Sequence, residues 1–498
     1  MRESRDFIAG VMQALERGDI SPLVNGQNDL EQRTREVPNL LGYLYNDHGN
    51  SERLIAFHGQ DLRYCHAFKK WLVWDGKRWA IDETDQARRL AKQTIIEFLQ
   101  QAIDMKSGDA EKFARNSLNT KPISSMLSMA ECEIFVRPLN LDIDPFLLNV
   151  LNGTIDLRSG QLRPHARSDF ITKLIHYEYR PEALCPRWLG FLDQIMGGGP
   201  DAGEGELARA QRLIEYLQRA LGYSITGCTS EKAVFVPFGP TDAGKSTLLS
   251  TIRHIVREYA VLLQVDTLMV RQESNNTQAD LADLRGARFA QTSETEEGQR
   301  LAQGKLKRIS QGMGAIKATR KYENPIEFSE THKLWIDTNR KPVIQDADDD
   351  ATFNRLHTIP FTNKIPKDQV DRDFPRKLLL EAEGILAWTV MGAKLWYDSG
   401  LKKPQEIDAA NEEWRSEMDQ LGRFIEEACV KGDGVRARAS VLYSEYKKWA
   451  EAGGEKNVMS STAFGLKMRQ RGFVKQDTNR GVIYLGISIR AAEPEESG

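Results

Sequence analysis

The densest chemistry in this chain lies in Gly239-Pro240-Thr241-Asp242-Ala243-Gly244-Lys245-Ser246, followed by Thr247. Phosphate oxygens need several donors converging on one small concavity. Backbone N–H groups supply them where no Cβ intrudes, and glycine at both ends of the loop allows that. A helix starting near Lys245 adds the positive end of its dipole. In this G-x-x-x-x-G-K-S spacing, Lys245 reaches the β- and γ-phosphates of ATP, and the Ser246 hydroxyl coordinates Mg²⁺. The Lys245 side chain is expected to face ligand, so that its removal costs little packing. The plain alternative is a glycine-rich strand-to-helix turn.

A phosphate cradle does not hydrolyse ATP by itself. It needs a carboxylate to polarise water and hold the metal, a sensor of the γ-phosphate, and a positive charge for the transition state. "GARFAQTSETEEG" (286–298) offers the carboxylate: Arg288 to Thr292 suits a strand, Glu294 falls at its end, and Glu296 and Glu297 follow. The alternative is a solvated acidic turn. "HKLWIDTNRKP" (332–342) reads as a second strand, ending in Asn339, whose neutral amide can touch γ-phosphate and water without adding repulsive charge. Arg355, after the acidic run "DADDD" (346–350), stands just ahead of the apolar strand "LHTIPF". It can act as an arginine finger toward a neighbouring subunit, or it is a surface arginine. The acidic run itself is expected to face solvent. "GAIKATRKYENPIEFSE" (314–330) has two β-suitable arms whose tip carries Arg320, Lys321 and Tyr322, a positive charge beside an aromatic ring. That pairing grips a backbone phosphate and sugar, although an isolated basic hairpin is more often only solvated.

These residues need a scaffold. "KAVFVPFG" before the loop has the β-branched and aromatic content of a buried strand, and "STLLSTIRHIVREYA" after it has helical apolar spacing, so an α/β fold is expected. A length of 498 residues suits about three domains. Residues 1–135 read as mixed and mainly helical, with a hairpin at Asp75-Gly76 whose Trp71, Trp74 and Trp79 suit a small core better than base stacking. Short strands with turns at Asn152-Gly153 and Ser159-Gly160, then a flexible glycine loop at 197–205 and an amphipathic helix, fill 136–225. Residues 226–400 form the nucleotide domain, 399–411 resembles a linker, 413–491 is compact, and 492–498 should fray. The 68 Lys and Arg against 71 Asp and Glu leave a net charge of −3, so any DNA surface must be local. Five cysteines without paired spacing argue for a reducing compartment and against zinc. No apolar run approaches the ~18 residues of a membrane span. A cytoplasmic, intracellular protein is expected.

The order of the parts outweighs each alone. Phosphate loop, acidic strand end, basic hairpin, Asn-ended strand and late arginine together resemble a superfamily 3 helicase, a viral branch of the AAA+ ATPases. "SETEEGQRLAQGKLKRISQGMGAIKATRKY" and "LWIDTNRKP…NRLHTIPF" look like the phage and plasmid primase–helicase family, which includes the poxvirus type. The likeness covers most of residues 40–490, including "YNDHGNSERLIAFHGQDLRYCHAFKKWLVWDGKRW" before the ATPase and "VLYSEYKKWAEAGGEKNVMSSTAFGLKMRQRGFVKQ" after it. It implies a P-loop AAA+ core with a C-terminal winged helix. Gly239 through Thr247 would bind ATP, with Ser246 and Glu294 on Mg²⁺. Glu294 would activate water, although relatives show two adjacent acids where this chain has Ser293-Glu294, so the division of labour with Glu296 and Glu297 stays open. Asn339 would be the sensor, Arg355 the trans-acting finger, and Lys321 and Tyr322 the tip gripping single-stranded DNA. The implied protein is a homo-hexameric replicative helicase of a phage or mobile element in a bacterial host. It would act on single-stranded and forked DNA, beside a separate primase or initiator.

Two readings stay beside it. The family often carries a primase domain, whose two-metal chemistry needs clustered carboxylates. "DETDQ" (82–86) offers only a weak candidate and suits a loop. An initiator that uses ATP only to assemble is the other. In the tail, "SSTAFGLKMRQRGFVKQDTNRGVIYLGISI" gives a Ser-capped helix and two β-suitable arms around "DTNRG", with basic Lys467, Arg469, Arg471, Lys475 and Arg480. A helix in a major groove with a wing on phosphates fits this order, as does a protein-docking module.

Overall fold

The computed structural model describes residues 37–199, 201–270, 281–292, 299–312, 314–318, 326–366, 370–453, 458–479 and 481–490. The N-terminal part sets helices α1 (Asp47–His58), α2 (Gln86–Asp104), α3 (Gly108–Ser117) and α4 (Thr120–Ala130) against an antiparallel meander, β1 (Leu62–Cys65), β2 (Lys70–Trp74) and β3 (Trp79–Ile81). The Asp75-Gly76 hairpin forms as its sequence demands. Asp75 Oδ1 accepts from the backbone N–H of Lys77 and Arg78 at 2.8 Å each, and Gly76 takes φ +93°. Trp79 is buried and stacks 5.8 Å from Phe170, so this tryptophan serves a core. The "DETDQ" stretch caps a helix: Asp82 accepts from the N–H groups of Gln86 and Ala87 at 2.8 Å. That engages its carboxylate in the orphan donors of the first turn.

A second meander follows, β4 (Leu147–Val150), β5 (Gly153–Asp156) and β6 (Gln161–Arg163). Then come α5 (Pro186–Met196), which ends on Gly197 at φ +86°, and α6 (Glu204–Ile225). Beyond them lies a five-stranded sheet: β7 (Val234–Phe238), β8 (Ala260–Leu263), β9 (Phe289–Thr292), β12 (Lys333–Ile336) and β13 (Leu356–Pro360), in the order β13-β7-β12-β9-β8 and parallel throughout. Parallel sheets are covered on both faces, and the alternation of side chains shows it. Phe235, Trp335 and Phe289 stack across three strands at 4.5 and 5.7 Å on one face. Val234, Val236, Leu334 and Ile336 enter a separate core on the other. The first core also takes in Leu148 and Ile155 of the meander and Leu213 and Leu217 of α6, so the meander and the sheet fold around shared apolar surface. Buried Arg288 fastens them: its guanidinium donates to the carbonyls of Ile225 (2.9 Å) and Leu147 (2.7 Å).

The remaining sheet-side elements are α7 (Lys245–Val256), α8 (Gln303–Arg308), the hairpin β10 (Ala315–Ala318) with β11 (Ile326–Ser329), α9 (Asp350–Phe353), α10 (Phe374–Leu379) and α11 (Ala382–Ser399). The stretch expected as a linker is only partly one. Helix α12 (Gln405–Met418) begins inside it, because Ile407, Ala410 and Trp414 recur at helical spacing and are buried, and Trp414 joins the second core.

The C-terminal elements run α13 (Gln420–Ala428), β14 (Cys429–Arg438), α14 (Ala439–Ala452), α15 (Ser461–Gln470), β15 (Lys475–Thr478) and β16 (Gly481–Ile489), with sheet order β14-β16-β15. Ser460 caps α15 by accepting from Ala463 N–H. Leu421, Phe424, Leu442, Tyr446, Phe464 and Ile487 form a core of their own. This unit meets the acidic run, whose Asp346, Asp348 and Asp350 are exposed as expected but also carry ion pairs. Lys467 of α15 lies 3.2 Å from Asp346 and 3.4 Å from Asp348, and Arg471 lies 3.5 Å from Asp348. Asp349 pairs with Lys307 at 2.9 Å and Asp350 with Arg415 at 2.6 Å. These carboxylates stay partly in water, but each has a basic partner.

Candidate functional site

The glycine loop leaves the carboxyl end of β7 and enters α7 at Lys245. Its shape depends on both glycines. A Cβ on Gly239 would stand 1.9 Å from the carbonyl oxygen of Phe361. Gly244 adopts φ +82°, and a Cβ there would stand 2.5 Å from Ile195 Cγ2 of α5. The chain after β13 braces the loop from the other side, since Ile365 N–H donates to Asp242 O at 2.9 Å. Pro240, Thr241 and Asp242 remain exposed, and Ala243 is buried.

Lys245 departs from expectation. It is only 3% exposed, and its ammonium donates to the carbonyls of Gly239 (2.9 Å) and Pro240 (2.7 Å). The side chain curls over its own loop, so its stem is packed and its removal is not free.

The strand beside β7 supplies two polar residues at the same edge. Trp335 pairs with Phe235 in the parallel register, and Thr338 bridges to Phe238. Asn339 therefore falls level with Gly239, the first residue of the loop. The regular strand stops at Ile336, three residues short of the expected end, and Asn339 lies in the turn beyond. Asp337, on the same turn, is buried, and Ser246 Oγ donates to its Oδ2 at 2.8 Å. Sequence reading missed this residue. A strand-end aspartate two places before an asparagine has no local signature, and only the pairing of β12 with β7 brings it to Ser246. A hydroxyl and a carboxylate at this spacing are the hard oxygen donors that Mg²⁺ takes, so the donor set fits the metal.

Arg355 sits at the opposite edge. It immediately precedes Leu356, which pairs with Val234 at the amino end of β7. At about 3.3 Å per residue, that places it about 20 Å from Gly239 of its own chain. Its guanidinium Nε donates to Ser310 O at 3.3 Å. Near it Glu330 is buried and accepts from Gly312 N–H at 3.2 Å. Burial pushes that carboxyl up to about 7, against the opposing pull of the Gly312 hydrogen bond and of Lys333. Lys333, wholly buried among carbonyls of Cys228 and Thr331, is driven well below the ordinary lysine value by the same desolvation.

Glu294, Glu296 and Glu297, and the hairpin tip Arg320, Lys321 and Tyr322, lie outside the described residues. The arms that lead to them are present: β9 covers Phe289–Thr292, and β10 pairs with β11 from Ala315↔Ser329 to Ala318↔Ile326. Among the described residues, no group of three or more His, Cys, Asp or Glu is placed to hold a metal. No helix among them is long and apolar enough to cross a membrane.

The class so defined is a mixed α/β protein on a parallel five-stranded sheet, with a glycine-bounded loop at its carboxyl edge. Residues 51–197 match the family described as D5 N terminal like, residues 416–484 the family Poxvirus D5 protein-like, and residues 238–355 a family of unknown function, DUF5906. A protein of Acanthamoeba polyphaga mimivirus named "Putative helicase L207/L206" is 25% identical over 358 residues, 67% of this chain and 36% of that protein. The chain thus spans little more than a third of that relative's length. Among solved structures, an apo form of the NrS-1 C terminal region is 10% identical with a TM-score of 0.45, over 85% of this chain and 94% of that one. A second apo form gives 13% and 0.38, over 66% and 88%. The chain is thus similar to D5-type families at both of its ends and to a viral protein named as a putative helicase.

Proposed function

We propose that the chain is an ATP-driven DNA helicase of the superfamily 3, AAA+ type, working as a homo-hexameric ring on single-stranded and forked DNA. The observation that carries this reading is the register at the sheet edge. It sets Asp337 and Asn339, just beyond β12, beside the loop that follows β7 and carries Gly239, Lys245 and Ser246. In this reading the loop N–H groups and the α7 amino end bind the triphosphate. Lys245 leaves the Gly239 and Pro240 carbonyls for the β- and γ-phosphates. Ser246 and Glu294 would hold Mg²⁺, with Asp337 behind the Ser246 hydroxyl, and bound Mg²⁺ would neutralise charge developing on the phosphates. Asn339 touches the γ-phosphate and orients water. Arg355, about 20 Å from its own loop, serves the next subunit. The tip Arg320-Lys321-Tyr322 grips the strand in the pore, and the C-terminal elements, in winged-helix order, contact duplex phosphates.

The deciding experiment measures ATP hydrolysis with and without single-stranded DNA, and strand separation on a fork. Stimulation together with unwinding is expected, and Lys321→Ala should keep basal hydrolysis while losing unwinding. Hydrolysis without any response to DNA and no unwinding would leave an ATP-assembled initiator. Primer synthesis by the protein alone would instead move it to the primase–helicases.

A further inference from the structure

We infer that Asp337 is a positioning residue for Ser246: it takes the hydroxyl proton and so turns the Ser246 lone pairs toward Mg²⁺. This rests on the nucleotide-site reading above and assigns to the end of β12 a task distinct from the metal and water roles expected at the acidic end of β9. Three observations carry it. Ser246 Oγ and Asp337 Oδ2 are 2.8 Å apart, with the serine as donor. Asp337 is 3% exposed, which suits a fixed partner better than a solvated turn residue. Third, β12 lies directly beside β7, whereas β9 lies one strand further out. Strands are spaced about 4.8 Å apart, so the end of β9 stands about 10 Å sideways from the strand that feeds the loop. A side chain on β12 is the one within reach of the first turn of α7.

The chemistry follows from the proton. A serine hydroxyl that ligates a cation through oxygen keeps its proton and needs an acceptor for it. If that acceptor were water, the rotor would be free to aim its lone pairs elsewhere. Asp337 fixes it, and its charge adds attraction for a cation on the far side of the oxygen. Outer partners of metal ligands are typically worth 10–100-fold in metal affinity. The two roles are separable: Asp337 orients Ser246, and an acid beyond β9 is left to deal with water.

The test is a titration of Mg²⁺ into protein and a fluorescent ATP analogue, read as nucleotide affinity, with an EDTA arm. For Asp337→Asn, affinity in EDTA should stay within about twofold, while the Mg²⁺ midpoint rises about 10- to 100-fold. Ser246→Ala should show the same rise. The double variant should show no further rise, because residues acting as a unit are not additive. Unchanged midpoints in a normally melting Asp337→Asn protein overturn the proposal. So do additive shifts in the double variant. Should Asp337→Asn fail to fold, Ser246→Ala with its aspartate intact decides, and a wild-type midpoint there overturns it equally. A wild-type protein that binds no nucleotide at any Mg²⁺ concentration defeats the site reading itself, which is a different result.

Discussion

The buried Lys245 changes how its role has to be tested. Its expected freedom came from the loop motif, which specifies what a lysine does with a phosphate bound. Without one, the ammonium still needs acceptors, and the nearest are the carbonyls of Gly239 and Pro240. Lys245→Ala therefore removes packing and strands two carbonyls, at a cost of about 1–3 kcal/mol. Lys245→Met keeps the stem. We expect Lys245→Met to melt within a few degrees of wild type with ATP turnover abolished, and Lys245→Ala to melt lower. Full turnover in Lys245→Met would remove the lysine from the mechanism. The strand–loop–helix shape around the eight-residue loop was legible because its signals lie in consecutive positions. Asp337 was not, since its partner Ser246 lies 91 residues earlier in the chain, and strand register is invisible before folding.

Among elements, strands read well where buried on both faces. β7, β9 and β13 fall where their β-branched and aromatic runs predict. The end of β12 was overrun because "DTN" continues a polar edge that a bridge at Thr338 only partly pairs. The start of α12 was hidden by Pro404 and two lysines, which look like linker composition, whereas Pro404 stands at its N-cap. The strand entering β12 carries a charge problem of its own. Glu330 has its carboxyl raised to about 7, above its unfolded value, so its favourable contribution is complete below about pH 4.5 and is lost as pH rises through about 7. Glu330→Gln should match wild-type stability near pH 4.5 and exceed it by up to about 3 kcal/mol near pH 8. The difference between the two proteins is the quantity to plot. His332 and His357, which burial holds near 4, lose stability as pH falls from about 6.5 and bend both curves the opposite way. Parallel denaturation curves at all pH values would contradict the Glu330 assignment.

At the scale of the molecule, Arg355 and the phosphate loop occupy opposite edges of one sheet, so one chain cannot join them. Arg355→Ala and Lys245→Met proteins should each be inactive, yet mixed they should regain ATPase activity at interfaces where intact Lys245 meets intact Arg355. Arginine fingers are worth about 10³–10⁵ in rate, so the recovery should be plain. Continued inactivity despite proven subunit exchange would make Arg355 structural.

The seat of the C-terminal unit on the acidic run has a consequence for the size of the molecule in solution. The described ion pairs that tie α15 and the residue just after it to the run are Lys467 with Asp346 and Asp348, and Arg471 with Asp348. Exposed pairs are worth about 0–1 kcal/mol each, and the Debye length shrinks from about 10 Å at 0.1 M salt to about 3 Å at 1 M. Small-angle scattering should therefore record a radius of gyration that grows between those salt concentrations as the unit swings out on the chain after α12. Asp346→Asn with Asp348→Asn should already show the larger radius in low salt. A radius indifferent to both would mean that apolar contact, not charge, sets the dimensions of this chain, and its hydrodynamics would then be the same in any buffer.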